Sequence, residues 1–162
     1  MKTILVPVDA TPAVENAVDF ALAWAKRYDY RQIILLKSSY ESMYDYISMG
    51  ATYALASEES LNMKQEESEA LLKQLSERIL RNASGIGVST EISKLPLLRC
   101  TIRLIKNEDS VELVVLGSDQ KAVANNSFIS SNIISISRAS PVKTLIVPDN
   151  CSYKPVRHML VP

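Results

Sequence analysis

The sequence predicts a doubly wound α/β sandwich, and three observations carry that prediction. Short aliphatic runs rich in β-branched residues recur at Ile4 to Val8, Ile33 to Leu36, Val111 to Leu116 and Val142 to Val147. Stretches with apolar residues at helical spacing separate the runs. Finally, Val111 to Pro148 reads as strand, loop, helix and strand, the order that builds a parallel sheet with a ligand crevice at the loop.

The elements follow in order. Ile4 to Val8 is apolar throughout, as a strand buried on both faces requires, and it ends at Asp9. Thr11 is placed to cap a helix, with Pro12 in the first turn where its missing N–H does no harm. Val14, Ala17, Val18, Ala21, Leu22 and Ala25 then form one stripe for packing on a sheet. The chain turns at Tyr28 to Tyr30, and Ile33 to Leu36 is the second strand. Residues 40–56, rich in Tyr, Ser and Met, have no clear period and read as a long surface loop or an irregular helix. Ser57 is placed to cap a second helix, with Glu58 and Glu59 at the positive end of its dipole. Leu61, Leu71, Leu72, Leu75 and Ile79 supply its buried side. Ser84 to Gly87 stops it, and Val88 to Leu95 alternates as an edge strand with one wet face does. Pro96 opens a third helix reaching about Asn107, with Leu97, Leu98, Thr101, Ile102 and Ile105 facing inward. Val111 to Leu116, a helix from about Asn126 to Arg138, and Val142 to Val147 complete five strands and four helices.

Composition narrows the partners. A chain of 162 residues, 47% hydrophobic, suits one domain with a proper core. Its 18 basic and 18 acidic residues cancel, and no basic block tracks a phosphate backbone or an anionic bilayer, which argues against nucleic acid and membrane surfaces. Cys100 and Cys151 make neither a disulfide framework nor a metal cluster. The amino terminus enters a short strand, with no signal-peptide stretch, and no run has transmembrane length. The cytoplasm is the expected compartment.

Three motifs carry a family resemblance. Ile4-Leu-Val-Pro-Val-Asp9 with Thr11-Pro12, the Val-Val-Leu-Gly ending at Gly117, and Ser140-Pro-Val-Lys-Thr-Leu-Ile-Val-Pro148 together resemble the universal stress protein family, in order, over residues 1–148. The resemblance implies a three-layer sandwich of the adenine nucleotide alpha hydrolase type, with a five-stranded parallel sheet of order 3-2-1-4-5. It also implies frequent dimers and, in many members, an ATP site at the carboxyl ends of strands one and four.

That site is carried over residue by residue. ATP-binding members resemble one another in Gly-x2-Gly-x9-Gly followed by Ser or Thr after strand four, where bare backbone N–H groups wrap the phosphates. Here those positions read Gly117, Gln120, Ser130 and Ser131, so the first glycine and the final hydroxyl remain and the two middle glycines do not. A side chain at a position needing positive φ costs roughly 1 kcal/mol or more, and one aimed at the phosphates blocks their approach. Asp9 matches the family acid that contacts sugar or base, and its plainer reading is a cap for the Thr11-Pro12 turn. Past strand two, Lys37, Ser38 and Ser39 stand where the family lines adenine with an apolar residue. Asn125, Asn126 and Ser127 at a helix start suit a small anion or simple capping.

Catalytic groupings do not emerge. His158, the sole histidine, lies in the tail, away from any serine and acid of the predicted fold. Cys100 sits among apolar helix positions as a buried small hydrophobe, and nothing near Cys151 activates it. The charges of the second helix read as a solvated face, and Tyr40, Tyr44, Tyr46 and Tyr53 read as a loop packing on its own domain or as an interface anchor.

The tail repeats the start. After a linker at Asn150 to Pro155, Val156-Arg-His-Met-Leu-Val-Pro162 echoes Lys2-Thr-Ile-Leu-Val-Pro7. This reads as residues 1–148 forming one domain, and 149–162 a linker plus the first strand of a second copy, ordered by pairing with another subunit; the alternative is a natural carboxyl-terminal strand. The expected function is that of a non-enzymatic stress-response domain acting through a homodimer, a second such domain or another partner. No cofactor is expected, and residues Asp9, Gly117, Asn126 and Ser131 form a vestigial nucleotide site. The alternative is an ATP-binding regulatory module with its phosphate loop rebuilt around Gly117, Asn126 and Ser131.

Overall fold

The computed structural model describes residues 1–9, 11–40, 58–118 and 131–155. Its elements are β1 (Thr3–Val8), α1 (Ala13–Tyr28), β2 (Gln32–Ser38), α2 (Glu58–Asn82), β3 (Gly87–Ser93), α3 (Leu97–Asn107), β4 (Val111–Ser118), α4 (Ser131–Ala139) and β5 (Lys143–Pro148). The five strands form one parallel sheet of order β3-β2-β1-β4-β5.

Strand apolarity follows from double coverage. Successive side chains point to opposite faces, and both faces carry helices, so the central strands cannot alternate polar with apolar. Ile4, Val6, Val8, Ile33, Leu35, Leu113 and Val115 pack with α1 and with Leu72, Leu75 and Ile79 of α2. Leu5, Ile34, Leu36, Val114 and Leu116 pack with α3 and with Ile133 and Ile136 of α4. The edges are wetter: β3 has no buried residue, and Ile146 of β5 is 44% exposed.

Helix boundaries shift from those read in the sequence where side chains find other partners. Thr11 does not cap α1 with its side chain: its hydroxyl donates to Asp9, and Pro12 occupies the cap position without a side-chain hydrogen bond. At the far end Asp29 takes a left-handed conformation, with φ 59°, and its N–H bonds to the carbonyl of Ala25. In α3 the buried face runs through Leu97, Cys100, Thr101, Leu104 and Ile105, while Leu98 and Ile102 are only partly buried. The capping of α2 by Ser57 and the tyrosines Tyr44, Tyr46 and Tyr53 lie outside the described residues.

Residues 149–155 are not a free linker. The Asn16 side chain on α1 donates to the carbonyls of Pro148 and Cys151, at 2.6 and 3.0 Å. The Asp149 N–H bonds to the Ser118 carbonyl at 3.0 Å. Tyr153 then meets Phe20 and Trp24 edge-on, with ring centroids 5.2 and 6.2 Å apart.

Candidate functional site

In a doubly wound sheet the crevice opens at the carboxyl ends of the strands where the order reverses, here between β1 and β4. The two described candidates, Asp9 and Gly117, lie at those two strand ends.

Each has a structural task there. The Asp9 Oδ1 accepts the Thr11 hydroxyl at 2.6 Å and the Thr11 N–H at 3.3 Å, an Asx-type turn that swings the chain from β1 into α1. Gly117 faces the start of α1 so closely that an added Cβ would lie 2.7 Å from the Ala13 carbonyl oxygen and 2.9 Å from its carbon. The glycine therefore lets α1 approach β4, whether or not a ligand is present.

Lys37 completes the described rim. It pairs in register with Val8 and is only partly exposed. Burial pushes its ammonium below the ordinary lysine value, and the charge of Asp9 opposes that shift. The neighbouring serine hydroxyls are engaged, Ser38 donating to Leu95 at 2.7 Å and Ser39 to Ser93 at 3.3 Å. The rim thus presents a cation beside an acid, and its serines bond to backbone carbonyls. Gln120, Asn126 and Ser130 lie outside the described residues, and Ser131 opens α4 without a described side chain.

Cys100 is 3% exposed, and burial raises its thiol pKa, so the nucleophilic thiolate is disfavoured. Among the described residues no group of three or more His, Cys, Asp or Glu is placed to hold a metal. Among the same residues no helix is long and apolar enough to cross a membrane.

A second concavity, about 670 Å³, lies between α1 and α2 and is lined by Asp19, Leu22, Lys26, Gln74, Arg78 and Arg81 among others. Sequence reading assigns the charges of α2 to a solvated face, and Arg78 and Arg81 do keep 40% and 74% of their side-chain surface exposed while also finding partners: Arg78 grips Asp19 at 2.7 and 2.6 Å and Glu15 at 3.0 Å, Arg81 meets Glu77 at 3.1 Å, and Lys26 of α1 bonds the Asn82 carbonyl. The signal available in sequence is Glu15 and Asp19, one helical turn apart on α1.

The sequence model of the universal stress protein family matches residues 1–148. The chain belongs to the universal stress protein family. Solved universal stress proteins share its fold. The UspA protein from Lactobacillus plantarum is 19% identical, with a TM-score of 0.70 over 90% of this chain and 97% of that one. A universal stress protein from Archaeoglobus fulgidus, solved in complex with dAMP, is 13% identical, with a TM-score of 0.62 over 91% of this chain and 98% of that one. Another, in complex with cAMP, is 17% identical, with a TM-score of 0.57 over 90% and 96%. Comparison with curated proteins finds no match. Gln120 and Ser130 stand where the resemblance implies glycines.

Proposed function

We propose that this universal stress protein domain is a non-enzymatic, cytoplasmic component of the stress response whose crevice no longer holds ATP. It acts by pairing, either with another copy of itself or with a second domain of the same kind. One observation carries the reading: the two retained nucleotide-site positions whose side-chain surroundings are described, at the carboxyl ends of β1 and β4, serve the fold itself, Asp9 turning the chain and Gly117 admitting α1. Neither then argues for a ligand. Lys37 strengthens the point, because a half-buried cation replaces the apolar surface on which an adenine ring would lie.

The dAMP and cAMP complexes of similar structures favour a second reading, a nucleotide-responsive module with a rebuilt phosphate loop. Calorimetric titration separates the two. Magnesium ATP, dAMP and cAMP added to the chain are each expected to release no binding heat, while sedimentation reports an assembly larger than one chain. Saturable heat from any of the three nucleotides would replace the first reading with the second.

A further inference from the structure

The carboxyl end of β2 places a lysine in surroundings that suit an aliphatic side chain. Paired residues of a parallel sheet share a face, and Lys37 pairs with Val8 of β1 and with Ile92 of β3. Val8 is 1% exposed, and Ile92 packs against the same core cluster beneath α1 and α2. Leu35, two residues earlier on that face of β2, is fully buried. The Lys37 stem therefore rises between two aliphatic side chains, and the residue is partly exposed at the rim of the crevice.

Its amine is left available. Among the described residues Lys2 meets Glu112 at 3.7 Å and Lys26 bonds the Asn82 carbonyl, whereas Lys37 donates no hydrogen bond and makes no ion pair. Asp9 acts on it through charge alone, with its Oδ1 held by the Thr11 hydroxyl and N–H. Glu15, in the first turn of α1, is held by Arg78, and Glu91 of β3 points to the opposite face, beside Cys100. Burial outweighs the charge of Asp9, so the amine gives up its proton more readily than an ordinary lysine does. A desolvated lysine of this kind is the activated form of an amine nucleophile.

We infer that Lys37 is an acceptor site for small activated acyl groups, supplied by an acyl phosphate or an acyl thioester. The Nζ lone pair attacks the carbonyl carbon, and the C–N bond forms as the bond to the phosphate oxygen or thiol sulfur breaks. The leaving group departs with that electron pair and takes up the amine proton, so nothing is oxidised or reduced. The surroundings favour this class of electrophile over an aldehyde, because an imine nitrogen can still take a proton and a charge, whereas an amide stays neutral beside Val8 and Ile92. Acylation thus removes the charge whose burial the fold opposes. The inference goes beyond the pairing reading and does not rest on it.

Site-resolved acetylation tests it. The chain is treated at neutral pH with acetyl phosphate and, separately, with acetyl-CoA, and the extent of reaction at each lysine is read by peptide mass spectrometry. No nucleotide is present, so the outcome is independent of the calorimetric one. Lys37 is expected to react several-fold faster than the exposed Lys26 and Lys154 with at least one donor, which identifies the acyl source. With that donor it is also expected to react several-fold faster than in the same chain unfolded in guanidinium chloride, and its rate levels off at a lower pH in the folded chain. A Lys37 rate no higher than those of Lys26 and Lys154 with both donors, or no higher than in the unfolded chain, overturns the assignment. Coincident pH profiles in the folded and unfolded chains overturn it as well.

Discussion

Gly117 is the residue whose identity the packing constrains most tightly. An alanine there places its Cβ 2.7 Å from backbone oxygen, which no side-chain rotation relieves, so α1 or β4 must move. Gly117→Ala is expected to cost about 1–3 kcal/mol, in the range of overpacked cores, and to lower the urea midpoint of unfolding without changing the slope. An unchanged midpoint would show that α1 yields freely. Lys37 makes the opposite case, since its burial disfavours the charged form in the fold alone. Its folded pKa lies below the ordinary 10.5, so across the interval between them the unfolded chain binds more protons and stability rises with pH. Below that interval both states carry the charge and the cost is complete. Lys37→Met is therefore expected to melt higher than the parent at pH 7, with the gap narrowing as pH approaches 10.5; a gap constant with pH would assign the effect to packing.

At the scale of elements, the α1–α2 contact joins an apolar layer to an ionic clasp. Leu72, Leu75 and Ile79 supply the layer, and Arg78 spans two carboxylates presented by successive turns of α1. The Arg78 side chain is 40% exposed, so screening by solvent holds its contribution to about 1 kcal/mol. Arg78→Ala is expected to lower the melting temperature by a few degrees at low salt and by less in molar salt; equal losses in both would remove the electrostatic account. The clasp also shows where sequence reading stops. Apolar period marks α1, α2 and the central strands because each buries a long regular stripe, and the same patterns in order yield the layered fold. The start of α1 is less legible, because Thr11 has two uses for its hydroxyl and only the return of Asp9 selects one. β3 is read a residue late, from Val88 where the structure begins at Gly87, since an edge strand with no buried residue leaves weak marks. The positions of Asp9 and Gly117 can be read at once from the resemblance. Their structural tasks cannot, because these depend on how closely α1 comes to β4.

Across the whole molecule, burial divides the chain into a cooperative sandwich and a peripheral strap, and the two cysteines report on one part each. Cys100 is sealed within the α3 and α4 face, its Sγ donating to the Leu97 carbonyl, and burial holds it as the thiol. Cys151 is only partly buried, in a segment held by two hydrogen bonds from Asn16 and by the Tyr153 ring contacts. Opening the strap breaks few contacts, whereas exposing Cys100 requires separating α3 from the sheet. Under native conditions a thiol reagent is therefore expected to label Cys151 quickly, through local opening, and Cys100 only at the rate set by global unfolding. Tyr153→Ala removes the ring that pins the strap and is expected to speed Cys151 labelling several-fold while leaving the Cys100 rate nearly unchanged. If both rates rise together, the strap is part of the cooperative core, and the chain from Thr3 to Pro155 unfolds as one unit. If only Cys151 responds, the sandwich is stable without its strap, and residues 149–155 open as a unit of their own.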